Sequence, residues 1–124
     1  MAPTQRVFEA QVTRLARRLP ALGVPGAPTG VVGVYDVSSD WAPIYDRTEL
    51  AGFYVAFGTS GNQFKNGPVI GQLMRTLIEA VESGRDHDRD PAVFQGPRTG
   101  HDINLRAFSR LRDRNPDTTG TVMG

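Results

Sequence analysis

The stretch that decides the reading is Phe53-Tyr54-Val55-Ala56-Phe57-Gly58-Thr59-Ser60-Gly61-Asn62-Gln63-Phe64-Lys65-Asn66-Gly67-Pro68-Val69-Ile70-Gly71. Its first five residues are a continuous apolar run between Gly52 and Gly58, which suits a strand covered on both faces, as in a parallel or mixed sheet. Gly58-Thr59-Ser60-Gly61 is a turn of small residues, and glycine lets a backbone approach a ligand closely. Asn66-Gly67-Pro68 then starts a helix, with Ile70, Leu73, Leu77 and Val81 as its buried stripe and Gly84 in the place of a terminating glycine. The first amides of a helix point outward with partial positive charge, and Lys65 adds a full charge beside them. Such an end suits an anionic or electron-rich acceptor, though a turn of this kind also serves plain tight packing.

Two phosphate-binding motifs are excluded. A P-loop needs Gly-Lys-Ser/Thr, whereas Phe64 precedes Lys65 and Asn66 follows it. Gly58 and Gly61 do not supply the G-x-G-x-x-G of a dinucleotide fingerprint.

Upstream, Phe8, Val12, Leu15 and Leu19 share one face of a helix over 4–19 that Pro20 stops. The breaker-rich residues 23–30 are a linker or a long loop. Val31 to Val37 reads as a strand turning at Ser38-Ser39-Asp40. Residues 41–46 read as extended, with Pro43 demoting them to an edge or loop. Downstream, residues 85–91 alternate in charge and read as a solvated loop. The arginines at 106, 110, 112 and 114 read as a solvated face or docking edge, and the end from Arg112 as frayed. His87 among Asp86, Asp88 and Asp90 has no second ligand group in register, so no metal site is expected.

The chain has 124 residues, room for one domain or part of one. No cysteine is present, which removes disulfides and thiolate chemistry. Fourteen basic against thirteen acidic residues leave +1, too little to hold nucleic acid. No apolar stretch suits a bilayer span, so neither membrane nor nucleic acid is an expected partner, and the localisation expected is cytoplasmic. The fold class is α/β (mixed α+β), with two main helices and three short strands. A two-sided strand in so thin a chain suggests that the rest of its sheet lies elsewhere.

The run Gly58 to Gly71 resembles the C-terminal flavin-contact motif of the D-amino-acid oxidase and sarcosine oxidase superfamily, commonly G-F-S-G-H-G-F-K followed by P-x-I-G. Val34 to Asp46 resembles the family's upstream Y-x-x-T-P-D-x-x-P-I-I-D segment, and helix 4–19 and the tail 103–112 match in order. The resemblance implies the C-terminal portion of a two-domain FAD-dependent oxidoreductase. Residues 1–49 would end a substrate-domain-like part, 50–84 would return as strand, turn and helix to the FAD domain, and 85–124 would form a loop and tail. It implies oxidation of a C–N bond of an amino acid or amine by hydride transfer to FAD. Gly58, Thr59, Ser60, Gly61, Asn62 and Gln63 would contact the flavin, largely through the backbone. Lys65 would hold the substrate carboxylate beside the flavin, and Tyr35 would line the pocket.

The family's usual histidine is Asn62 here, its second glycine is Gln63, and its N-terminal G-x-G-x-x-G turn is not in this sequence. The expected partners are therefore FAD, a small amine or amino acid, and an N-terminal FAD-binding part or a companion subunit. The fragment alone is expected to be inactive, as a truncation, a cut piece or one subunit of a split oxidase. The competing readings are a non-catalytic α/β interaction module and an anion- or nucleotide-binding domain. Lys65 is the only lysine among the fourteen basic residues, which argues against surface filler.

Overall fold

The computed structural model describes residues 4–23, 26 and 30–120. It falls into two compact units, 1–34 and 35–124. The fold is mixed α+β: two helices and four short strands in two small antiparallel sheets.

The first unit holds helix α1, Gln5–Arg18. It ends with Leu19 donating its N–H to the Leu15 carbonyl. No residue of α1 is buried: of the stripe, Phe8 and Val12 are partly covered, and Leu15 and Leu19 are exposed. Much of the breaker-rich stretch at 23–30 lies outside the described residues.

In the second unit, β1 (Ile44–Arg47) pairs antiparallel with β2 (Tyr54–Phe57), Ile44 opposite Phe57 and Arg47 opposite Tyr54. Helix α2 (Gly67–Glu82) carries Pro68 in its first turn, where a missing N–H costs nothing. Gly84, at φ +95°, donates to the Val81 carbonyl, and Arg85 to that of Ala80. That pair of bonds satisfies the last carbonyls of the helix in the manner expected of a terminal glycine. Strands β3 (Val93–Gln95) and β4 (Asp102–Asn104) form a second hairpin against α2, and a 3₁₀ turn, Leu105–Phe108, follows. Tyr45, Leu73, Leu77, Ala92 and Leu105 are the buried core, flanked by Ile70, Val81, Phe94, Ile103 and Phe108.

Several expectations are corrected. Residues 30–38 form no strand. Neither strand of the first hairpin pairs with them, and the Asp36 carboxylate and carbonyl bind the 58–60 turn instead. The run 53–57 is not covered on both faces: β2 pairs only with β1, and Phe53 and Phe57 remain about half exposed, at 55% and 48%. An apolar run shows that a strand can be covered, not that this chain covers it. The hairpin β3–β4 was not foreseen, because its apolar residues are too few to show a period.

The charged loop and tail are solvated only in part: Arg85, Asp86, Arg89, Asp90, Arg106 and Arg114 are exposed, but His87, Asp88, Arg110 and Arg112 turn inward. Asp46, wholly buried, accepts from Ser109 Oγ (2.9 Å), the Arg110 amide (2.7 Å) and Arg110 Nη1 (3.1 Å). Asp88 binds Arg110 through both oxygens (2.8 and 3.0 Å) and also Arg47. Arg110, and then burial opposed by Arg47, leave the Asp88 carboxyl lowered to about 2. Arg112 closes on Asp40 with two hydrogen bonds (3.0 and 2.6 Å), holding that carboxyl far below its ordinary range, so the chain is not frayed there. Trp41, at φ +58°, sits in the Ser38–Ala42 turn above this pair, its indole nitrogen within 3.5 Å of a side chain built at Gly120. His87 is buried, not solvated, and accepts the Ala92 N–H at Nδ1 (3.1 Å).

Candidate functional site

The 58–61 turn joins β2 to α2 through a tight backbone path. Gly58 (φ +68°), Ser60 (φ +51°) and Gly61 (φ +78°) all lie in the left-handed region. Glycine takes that region freely, but Ser60 does so at a cost of ~1–2 kcal/mol. Ser60 is fully buried, and its hydroxyl donates to the Gly58 carbonyl (3.2 Å).

Asp36 supports the turn from outside. Its Oδ2 accepts the Gly58 and Thr59 amides (2.9 and 3.1 Å), its Oδ1 the Thr59 hydroxyl (2.6 Å), and its carbonyl the Ser60 amide (3.0 Å). The Thr59 hydroxyl, then the Thr59 amide, hold the carboxyl below its usual range. The Asn62 amide donates to the Thr59 carbonyl (3.2 Å). Among the described residues the Gly61 and Gln63 amides donate to no protein acceptor. The donors at 58–60 are thus taken up by Asp36, whereas the amides at 61 and 63–65 have no acceptor among the described residues.

Tyr35 lies against Gly61: a Cβ there would stand 2.7 Å from the Tyr35 ring. The structure thus places Tyr35 beside the turn at Gly61, while neither Tyr35 nor Lys65 is among the residues that line the cleft next to it.

Gln63 does not protrude where the sequence replaces a glycine. Its Oε1 accepts from Tyr45 Oη (3.1 Å) and Asn66 Nδ2 (2.9 Å), and its Nε2 donates to Asn62 Oδ1 (2.5 Å). Tyr45 is anchored below by Phe108, ring centroids 5.0 Å apart, and burial pushes its phenol up. An open cleft of about 460 Å³ lies here, lined by Tyr45, Ala56, Thr59, Gly61, Gln63, Phe64 and Ile70. Phe64 stands fully in solvent at its edge. Lys65 is exposed in the 3₁₀ turn Phe64–Asn66 and pairs with no acidic group among the described residues.

Asp36 and Tyr45 carry no signal that sequence reading could weigh. Each is one polar residue in an extended segment, and its importance lies in what it meets 18 to 23 positions later.

A strand, a bend with open amides and a helix entered past a lone lysine make up this α+β element. The model of the FAD dependent oxidoreductase (DAO) family matches residues 1–77, more than half of the chain, and the chain belongs to that family. No curated protein and no solved structure matches it significantly. No helix among the described residues is long and apolar enough to cross a membrane.

Proposed function

We propose that this chain supplies the flavin-facing edge and the substrate-anchoring lysine of an FAD-dependent oxidoreductase acting on a C–N bond of an amino acid or amine. One observation carries the reading: Gly61 and Gln63, whose amides have no acceptor among the described residues, line the same open cleft. The residues present fit a flavin on that ground, because its pyrimidine edge offers acceptors to paired donors. FAD, when bound, supplies the acceptor for the hydride leaving the carbon next to nitrogen.

The chain's own residues then divide the work. Gly61 and Gln63 donate N–H to the electron-rich edge, where preorganised donors stabilise developing negative charge. Gly58, Thr59 and Ser60, whose amides are used by Asp36, shape the bend rather than touch the cofactor. Asn62 keeps Gln63 folded back through its carboxamide. Lys65 pairs with the substrate carboxylate and fixes the direction of approach. Tyr35 walls the pocket beside Gly61.

The exposed Phe53, Phe57 and Phe64 support completion by an FAD-binding part, in the same protein or a companion chain, which would cover them. On this division residues 1–49 end the substrate part, 50–84 return to the FAD part and 85–124 form the closing loop and tail.

The test is an amide spectrum of the isotope-labelled full chain titrated with FMN as a soluble flavin. The Gly61 and Gln63 resonances are expected to move, while inorganic phosphate leaves them in place. Equal movement with phosphate would favour an anion-binding domain and overturn the flavin reading, as would no response to FMN.

A further inference from the structure

We propose that Asp36 is a positioning residue for this site: its ionised carboxylate collects the inward donors of residues 58–60, which presents the Gly61 and Gln63 amides outward as a pair. The ligand's identity rests on the flavin reading; the clamp itself does not. A carboxylate has only acceptor sites, enough for several donors at once. Here one side chain takes two amides and a hydroxyl at 2.9, 3.1 and 2.6 Å, and its own carbonyl takes the next amide at 3.0 Å.

With those donors held, the left-handed residues Gly58, Ser60 and Gly61 are tied to Asp36, and the Gly61 and Gln63 amides, which have no acceptor among the described residues, are left for a ligand. Asp36 belongs to a segment without regular structure and is exposed, outside the apolar core, so folding does not require it there. The groups acting on its ionisation are all uncharged: the Thr59 hydroxyl and the nearby amides, opposed by partial burial. Its neighbour Tyr35 covers the far side of the same turn, so the pair 35–36 grips it twice.

Asparagine is the informative replacement. It has nearly the same shape, but its amide nitrogen brings donors against the N–H groups that the carboxylate accepts. In Asp36→Asn, hydrogen exchange at Gly58, Thr59 and Ser60 is expected to quicken about tenfold or more, the loss of charged acceptors. The thermal midpoint of the full chain should stay where it is, and FMN should bind about tenfold more weakly. Thr59→Val, which keeps both amides, should give a smaller change of the same kind. In the unaltered chain the Gly58 and Thr59 amide shifts should titrate together in one acid step that Asp36→Asn abolishes.

Unchanged exchange at 58–60 in Asp36→Asn overturns the clamp. So does a lowered thermal midpoint with exchange quickened throughout the core, which marks a general structural role. If the unaltered chain ignores FMN yet Asp36→Asn frees these three amides alone, the clamp stands and the flavin reading is what fails.

Discussion

Around Asp46 nearly every strong acceptor has a donor: Ser109, Arg110 and the Arg47 amide converge on one buried carboxylate, and Asp88 and Asp40 each hold an arginine. At residues 58–65 the same chain ends differently. Inner donors are matched by Asp36, but the amides of Gly61, Gln63, Phe64 and Lys65 and the Lys65 ammonium are left without partners among the described residues. A buried polar group that lacks a partner costs stability, a cost borne on the closed side by Arg47 Nε, His87 Nε2 and Arg110 Nε, whereas Gly61, Phe64 and Lys65 on the open side are exposed. The contrast separates what keeps the fold from what remains available for work.

Asp46→Ala attacks the closed side most directly. It leaves the Arg110 guanidinium facing only Asp88 and the exposed Glu49 and frees the Ser109 hydroxyl, so a loss of about 3–5 kcal/mol is expected in urea unfolding. A loss below about 1 kcal/mol would mean that the tail is not held through this carboxylate.

Gly61→Ala tests the open side. Its φ of +78° makes any side chain cost ~1–2 kcal/mol, whereas the clash with Tyr35 is relieved by swinging an exposed ring. The variant should fold, lose that modest stability, and show the Tyr35 ring resonances shifted.

A smaller, graded effect belongs to His87. Burial, opposed by Asp46 and Asp88, keeps its ring neutral, and the Ala92 amide occupies Nδ1. The unfolded chain therefore takes up the proton first. Stability present at neutral pH is lost as pH falls below about 6.5, the unperturbed value. Urea midpoints from pH 7 to pH 5 should decline in the unaltered chain and flatten in His87→Gln; parallel curves would contradict this.

The smallest change in stability is expected for Lys65→Met, within about 0.5 kcal/mol, since the side chain is exposed and unpaired. In the complete enzyme the same variant should raise KM for the substrate and leave flavin content unaltered. Equal loss of both would remove the role proposed for it.

The helices were legible because their signals are local: Leu73 and Leu77 recur on one face, and Gly84 ends α2 with the geometry its position predicts. The bend and Lys65 stood out for the same reason. The supposed strand 31–37 failed because β-branched composition cannot supply a partner strand, and none pairs with it. In the loop 85–91 and the tail the exposed charges follow the sequence reading, whereas Asp88 does not, because alternating charge looks alike whether it faces water or answers arginines more than twenty residues away. Asp36 and Tyr45 were out of reach for a related reason: each acts on the turn across the β1–β2 hairpin, and only the fold closes that distance.

Trp41 gives the molecule an internal lamp. It is the single tryptophan, next in sequence to the Asp40 that holds Arg112, beside Gly120 and not among the residues lining the cleft. Its emission should redden when the tail lets go and stay constant when only the bend near Gly61 rearranges, so one optical trace can separate loosening of the frame from motion at the mouth.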